Sequence, residues 1–152
     1  MRRRRVATAA IVVLPALWAG GAAAAAPAEH RLAERFAETL SAHDIAGFAA
    51  LFADHYTQHQ SSAAAPKPPA GRTPKQLTVG FFAARIEAFP DLVVTAAPIV
   101  ASPGWVAANF TYAGTQRGAY LGVAPTGRHV SFNSTDILQV VDGRFVAHWG
   151  AA

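Results

Sequence analysis

Cysteine is absent from the 152-residue sequence. Without thiols the protein forms no disulfide and has no thiolate nucleophile, so its stability must come from packing and thiol catalysis is excluded. The serines lack the Gly-x-Ser-x-Gly context of a nucleophile elbow, and no glycine-rich loop follows a strand and opens a helix. Serine hydrolysis and nucleotide cofactors are therefore not indicated, and we expect any chemistry to proceed without a cofactor.

The sequence also lacks a hydrophobic run of the roughly 20 residues that a membrane-spanning helix needs. Its first 26 residues contain a basic start from Arg2 to Arg5, an apolar stretch at 6–18 and a run of small residues at 20–26. This order is typical of a secretory signal peptide, and an uncleaved membrane anchor is the alternative interpretation. We expect residues 1–26 to be a signal peptide cleaved between Ala24 and Pro27. The mature protein would then be soluble and secreted or periplasmic.

Once this leader is set aside, the sequence has no excess of positive or negative charge. The whole chain has a formal net charge of +4, but four of its 13 basic residues are Arg2 to Arg5. Residues 27–152 therefore hold nine basic and nine acidic residues, and the basic ones are scattered singly. A nucleic-acid surface needs a clustered basic patch, so we expect no nucleic-acid partner. A segment of this length builds one core, which predicts a single domain over 27–152.

Three segments in the first half have helical patterns. Residues 29–41 carry an apolar residue at every fourth position, which is typical of an amphipathic helix. A second helix is predicted from Asp44, a suitable N-cap, to about Asp54. A third is predicted from the N-cap Thr73 to Pro90.

The second half has the pattern of β-strands. A short extended piece at 55–60 and a proline-rich loop at 61–71 precede the third helix. After Pro90 the sequence alternates and is rich in Val, Phe, Tyr, Thr and Trp, which predicts four strands. Their predicted bounds are 92–101, 105–115, 128–141 and 144–149. Helices followed by an antiparallel sheet predict an α+β domain.

The last predicted hairpin places one carboxylate on an apolar face. If Asp142 and Gly143 form a two-residue turn, the register sets Asp136 opposite Trp149, on the same face as apolar residues of both strands. A carboxylate buried there is paired with another group, protonated, or employed in proton transfer. Desolvation raises the pKa of such a group toward values useful for that transfer. Asp136 is thus either a structural hydrogen-bonding residue or an acid or base in a pocket.

Two histidine positions leave alternatives open. In the same register His148 lies on the face opposite to Asp136, and a β-bulge would bring it to the pocket side. His55 and His59 have a spacing that holds zinc on a helix, but their segment is not clearly helical and no third ligand is evident. We expect no metal site, and treat His59 as either a polar group at a pocket mouth or a surface residue.

Several motifs occur together in an order that resembles one family. They are Tyr56-Thr57-Gln58-His59, Ala88-Phe89-Pro90-Asp91-Leu92, Gly114-Thr115 with Thr126-Gly127-Arg128, Asp136-Ile137, Asp142-Gly143-Arg144 and His148-Trp149-Gly150. The sequence is similar to the SnoaL-like polyketide cyclases of the nuclear-transport-factor-two-like superfamily, over the whole mature chain.

The resemblance implies three helices packed on a strongly curved antiparallel sheet, a cone-shaped α+β barrel enclosing an apolar pocket, with a homodimer formed through the sheet. It also implies cofactor-free acid/base chemistry, such as intramolecular aldol ring closure of a small apolar carbonyl compound. Asp136 and His148 are the candidate catalytic residues, and Tyr56, His59, Phe82 and Trp149 are candidates for binding the ligand. Many relatives carry an acidic residue just after the His-Trp pair, where this sequence has Gly150.

Three functions are compatible with these features. The first is a polyketide or ester cyclase-like enzyme or a related isomerase, which requires Asp136 to face the interior. The second is a non-catalytic module that binds a small apolar ligand. The third is an interaction domain whose interior is filled by its own aromatic side chains.

Overall fold

The computed structural model describes residues 26–60 and 70–151. Nearly all of the predicted signal peptide and most of the proline-rich loop lie outside them. The described helices are α1 (Ala28–Ser41), α2 (Ile45–Ala50) and α3 (Pro74–Ala88). The strands are β1 (Phe52–Gln58), β2 (Val93–Ser102), β3 (Trp105–Thr115), β4 (His129–Val141) and β5 (Arg144–Ala151).

The helix starts follow from local capping chemistry. Asp44 accepts a hydrogen bond from the Gly47 amide at 2.8 Å and so caps α2. Thr73 and Gln76 form a reciprocal capping box at the start of α3. None of the described helices is long and apolar enough to cross a membrane.

Helix α2 is shorter than the sequence predicts. It ends at Ala50, and Phe52 already begins β1, so the predicted end near Asp54 is wrong. The apolar residues Phe52 and Ala53 fit a buried strand as well as a helix, and pairing with β5 decides for the strand. The extended piece predicted at 55–60 is the second half of this strand.

The sheet has the strand order β1-β5-β4-β3-β2. The α+β prediction with three helices on one sheet is confirmed, as are the four strands after Pro90. One detail differs, because β1 pairs with β5 in parallel while the other three pairings are antiparallel. The chain leaves β1 through α3 and enters the sheet at the opposite edge as β2. The parallel partners β1 and β5 are thus joined by the long path through α3, β2, β3 and β4, as a parallel pair needs a long connection. The sheet is therefore mixed and open, with β1 and β2 as its edges.

A β-bulge changes the register of the β4–β5 hairpin. Val141 pairs with Arg144 and Val140 with Phe145, as the turn predicts, but Gln139 then pairs with Ala147. The extra residue in β5, Val146, reverses the alternation beyond it. The predicted pairing of Asp136 with Trp149 is therefore wrong: Asp136 lies opposite Gly150.

One face of the sheet, which we call the inner face, packs on the helices. Its core is aromatic, and the rings of Phe36, Phe48, Phe52, Phe110 and Phe145 lie within 4.4 to 6.4 Å of one another in successive pairs. Burial is graded along β4: Leu138 and Val140 are buried, whereas Phe132 and Ser134 are half-buried. The cone is thus closed at the Val140 end and opens toward the start of β4.

Candidate active site

Asp136 is a buried carboxylate on the inner face. It follows Phe132 and Ser134 at period two along β4, and its side chain is 5% exposed. The Ser134 hydroxyl donates a hydrogen bond to Asp136 Oδ1 at 2.7 Å. The predicted inward orientation of Asp136 is confirmed, although its cross-strand partner differs.

His148 lies beside this carboxylate because of the bulge in β5. Its Nε2 is 3.1 Å from Asp136 Oδ1, and its side chain is 12% exposed. The placement of His148 on the opposite face is therefore wrong, and the bulge alternative is what the structure contains. The contact has ion-pair distance but not hydrogen-bond alignment, and within the described residues Nε2 has no aligned partner. The imidazole thus keeps a donor or acceptor for a ligand next to a carboxylate.

Gly150 leaves the space that this pair occupies. A Cβ atom at Gly150 would lie 2.5 Å from Asp136 Oδ1 and 2.8 Å from His148 Nε2. Both distances are shorter than any normal carbon contact with nitrogen or oxygen, so a side chain here would displace one of the two groups. The space beside Gly150 is occupied by the side chains of Asp136 and His148.

Two buried tyrosines lie close enough to the carboxylate to be influenced by its charge. Burial raises the pKa of Tyr56, the Thr78 hydroxyl opposes that rise, and the charge of Asp136 adds to it. Burial likewise raises the pKa of Tyr112, with Arg85 opposing and Asp136 adding. Both phenols are therefore neutral donors, and the Tyr56 hydroxyl has no aligned partner among the described residues. Tyr56, a predicted ligand-binding residue, lies in the cluster with Asp136.

Arg85 is the residue of the interior that sequence reasoning missed. Its guanidinium carbon lies 4.4 to 5.7 Å from the centroids of five rings: Phe81, Phe82, Tyr112, Tyr120 and Phe132. Its Nε donates a hydrogen bond to the Tyr120 hydroxyl at 2.8 Å. A signal existed in the sequence, because an arginine four residues after Phe81 and three after Phe82 interrupts the apolar side of α3.

The other predicted site residues are divided between the two faces. Phe82 lies inside, against Arg85 and Phe36. His59 and Trp149 lie outside, stacked on each other with ring centroids 4.4 Å apart, because the bulge turns Trp149 away from Asp136. Within residues 26–60 and 70–151, no three His, Asp or Glu side chains lie close enough together to hold a metal ion.

A concave region of the surface lies apart from this cluster. It is an open cleft of about 620 Å³ between α2, β1 and the start of α3, lined by residues that include Asp54, Arg72 and Lys75. Lys75 pairs with Asp54 at 2.8 Å across it. The convergent buried polar groups lie on the inner face, so that face is the better candidate for chemistry.

Sequence comparison agrees with this architecture. Residues 30–152 match the family model described as SnoaL-like polyketide cyclase. The protein belongs to the SnoaL-like polyketide cyclase family. None of the curated proteins matches its sequence.

Solved structures of three streptomycete proteins share the fold. AclR from Streptomyces galilaeus, described as a candidate hydroxylase, is 26% identical with a TM-score of 0.64, covering 80% of this chain and 75% of its own. IdmH from Streptomyces antibioticus, described as a candidate polyketide cyclase, is 26% identical with a TM-score of 0.66, over 80% and 88%. TsrD from Streptomyces laurentii is 22% identical with a TM-score of 0.69, over 82% and 87%, and shows the fold alone.

The Gly150→Ala variant tests whether this glycine makes room for the pair. We expect it to lose about 1–3 kcal/mol of unfolding free energy, as overpacked interiors do, and to shift the ring resonances of His148. Urea denaturation and NMR of the histidine side chains measure the two effects.

Gly80→Ala is the matched control, because Gly80 is an exposed residue of α3 with no atom within 4 Å of an added Cβ. It should gain about 0.5–1 kcal/mol from helix propensity. A Gly150→Ala protein as stable as the wild type, with unchanged His148 resonances, would show that the space is not needed.

Proposed function

We propose that this member of the SnoaL-like family is a cofactor-free acid/base enzyme acting on a small apolar carbonyl compound, with polyketide cyclase-like chemistry. The observation that carries the proposal is the buried contact of 3.1 Å between Asp136 and His148 on the inner face, near its open end. A carboxylate and an imidazole at this separation supply a base and an acid to one substrate. The partly apolar, aromatic surroundings suit an apolar substrate.

In the proposed mechanism, Asp136 takes a proton from the carbon next to a carbonyl group. The electron pair of that C–H bond moves to form an enolate, whose oxygen is stabilised by neutral donors such as the Tyr56 hydroxyl. The enolate carbon attacks a second carbonyl of the same molecule, and the new alkoxide takes a proton from His148. The proton held by Asp136 then returns to His148, so the ring closes with no net change in either group.

A non-catalytic ligand-binding module is the second candidate function. It is favoured by the half-buried aromatic side chains at the open end of the interior, among them Phe82 and Phe132, which offer apolar surface to a ligand. Among the described residues, Phe110, Leu138 and Phe145 at the closed end are at most 1% exposed and offer no such surface. A protein of this kind would bind the same apolar compounds without exchanging their protons.

Exchange of carbon-bound hydrogen distinguishes the two functions without knowledge of the natural substrate. We expect the protein to accelerate deuterium uptake at the acidic carbon of 1-phenyl-1,3-butanedione in D2O, followed by proton NMR. Asp136→Asn should lower this acceleration by about 10²–10⁴-fold, and His148→Gln should also lower it, as removal of a positioned acid or base does.

Asp142→Asn is the matched control, since Asp142 is an exposed turn residue with a φ of 49° that asparagine tolerates. It should exchange at the wild-type rate. Binding of the diketone without accelerated exchange, or equal exchange in Asp136→Asn, would refute the acid/base function.

We further propose that the enzyme works outside the cytoplasm as a secreted or periplasmic protein. The support is the arginine-led apolar leader at 1–26. The mass of the protein recovered from the periplasm or medium of an expressing bacterium should correspond to a chain starting between residues 25 and 27. An intact chain retained in the cytoplasm would contradict export.

The outer face of the sheet supports a homodimer. It carries a set of exposed apolar side chains that we call the apolar strip, each 37–69% accessible: Val100, Trp105, Ile137, Val141 and Trp149. The outward positions of β2, β3 and β4 contain no Asp, Glu, Lys or Arg. A second copy can therefore meet this surface without apposing like charges, and we propose that it covers the face.

Light scattering coupled to size-exclusion chromatography tests the dimer. We expect twice the monomer mass for the wild type and the monomer mass for Ile137→Lys, which places a charge in the centre of the apolar strip. Val123→Lys, at an equally exposed loop position outside the strip, should remain dimeric. A monomeric wild type, or a dimeric Ile137→Lys, would contradict the proposed interface.

A further inference from the structure

Arg85 is a buried cation inside the cone. It is 7% exposed, on the side of α3 that faces the sheet, and aromatic rings from α3, β3, β4 and the loop after β3 surround it. Arginine is almost never this buried unless it is paired. The proposed acid/base mechanism gives it no part.

No carboxylate of the described chain compensates this charge. All nine Asp and Glu residues lie within the described ranges. The ion pairs that their side chains form there are with His30, Lys75 and His148, and none is with Arg85. Arg85 contacts the rings of Tyr112 and Phe132, and Asp136 lies four residues after Phe132 on the same face of β4, so the two buried charges share this face without direct contact.

The polar neighbours of the guanidinium are phenols. Nε donates to the Tyr120 hydroxyl, and the Tyr112 hydroxyl is close enough to respond to the cation. Burial raises the pKa of both tyrosines, so neither supplies a negative charge at neutral pH. The rings attract the cation by their quadrupoles, but a guanidinium has five N–H donors in a planar fork that fits a carboxylate.

This cluster is reachable from the open end of the cone. Phe81, Phe82, Tyr120 and Phe132 are half-buried, in contrast to the fully buried rings at the closed end. A flat ligand entering here would contact their exposed ring surfaces before it reached Arg85. Its apolar body would then lie against the aromatic rings, and its anionic group would lie against the Arg85 guanidinium.

We propose that Arg85 is the receptor for a carboxylate on the ligand of this protein, and that the aromatic residues around it bind the ligand's planar apolar part. The inference rests on the proposed function and deepens it, because it restricts the substrates to aromatic or polycyclic carboxylates. Carboxylate binding itself is independent of turnover. Arg85 touches the ligand but not the reacting carbon, so its role is in binding and specificity.

A matched pair of probes tests the proposal. 1-Naphthaleneacetate and 1-naphthaleneacetamide have nearly the same shape, and only the first is an anion at pH 7. We expect isothermal titration of the purified protein to give about tenfold or greater preference for the acetate, the size that one charge-assisted pair supplies. Arg85→Met, which keeps the length and the apolar contacts of the side chain, should bind both probes equally.

Two further variants separate this proposal from the acid/base function. Arg85→Lys keeps the charge without the fork, and it should retain a reduced preference for the acetate even if Arg85→Met fails to fold. Asp136→Asn should lose proton exchange but keep an equal or larger preference, because it removes a repelling charge. Failure of Asp136→Asn to slow exchange refutes the mechanism and leaves the carboxylate site standing.

Three results would overturn the carboxylate site. They are equal binding of the two probes by the wild type, tighter binding of the acetamide, and a preference for the acetate that persists in Arg85→Met. Any of them would mean that Arg85 only packs among the aromatic rings and does not bind a ligand carboxylate.

Discussion

Two ionisable groups lose their water inside this cone, and the arrangement of the interior follows from that loss. Transfer of a carboxylate or a guanidinium from water into a protein interior costs several kcal/mol unless new partners replace the solvent. Asp136 accepts a hydrogen bond from the Ser134 hydroxyl and lies beside the His148 imidazole. Arg85 contacts five aromatic rings and donates a hydrogen bond to one phenol oxygen. These partners come from α3, the three strands β3, β4 and β5, and the loop between β3 and β4, so the polar cluster depends on the complete fold.

The bulge in β5 decides which groups meet on the inner face. If β5 paired without the bulge, with Val146 opposite Gln139, Trp149 would face the interior and His148 would face outward, and Asp136 would be buried without an imidazole beside it. The same reversal brings Gly150 opposite Asp136, where the missing side chain leaves room for the pair. It also sends Trp149 to the outer face, where it extends the apolar strip with Trp105. One inserted residue thus contributes to both the candidate active site and the candidate dimer surface.

The sequence was informative where local patterns determine structure. Capping residues and periodicity predicted all three helices, four strands and the inward position of Asp136, since each depends on residues close along the chain. The end of α2 was missed because Phe52 and Ala53 suit either kind of element, and only pairing with β5 decides between them. The position of His148 could not be fixed because alternation shows the faces of a strand but not where an extra residue interrupts it.

Arg85 was missed for a different reason. Its helical neighbours Phe81 and Phe82 are visible in the sequence, but Tyr112, Tyr120 and Phe132 reach it only through the folded sheet. A single arginine in an apolar helix face is usually read as a residue whose head reaches solvent. In this protein the sheet closes over it, and the charge stays inside.

The positions of the two charges give the proposed site a direction. Arg85 lies against Phe132 on β4, four residues before Asp136, so the cationic and the anionic parts of the cluster are separated along the strand. A ligand carboxylate is attracted to Arg85 and repelled by Asp136, and the two effects favour the same orientation. The end of the ligand remote from the carboxylate then lies toward Asp136 and His148, where proton transfer is proposed. Binding and proton transfer would thus take place at separate positions along one face. The separation is needed because the negative charge of Asp136 repels an anionic substrate, and the cation of Arg85 holds that substrate in the site.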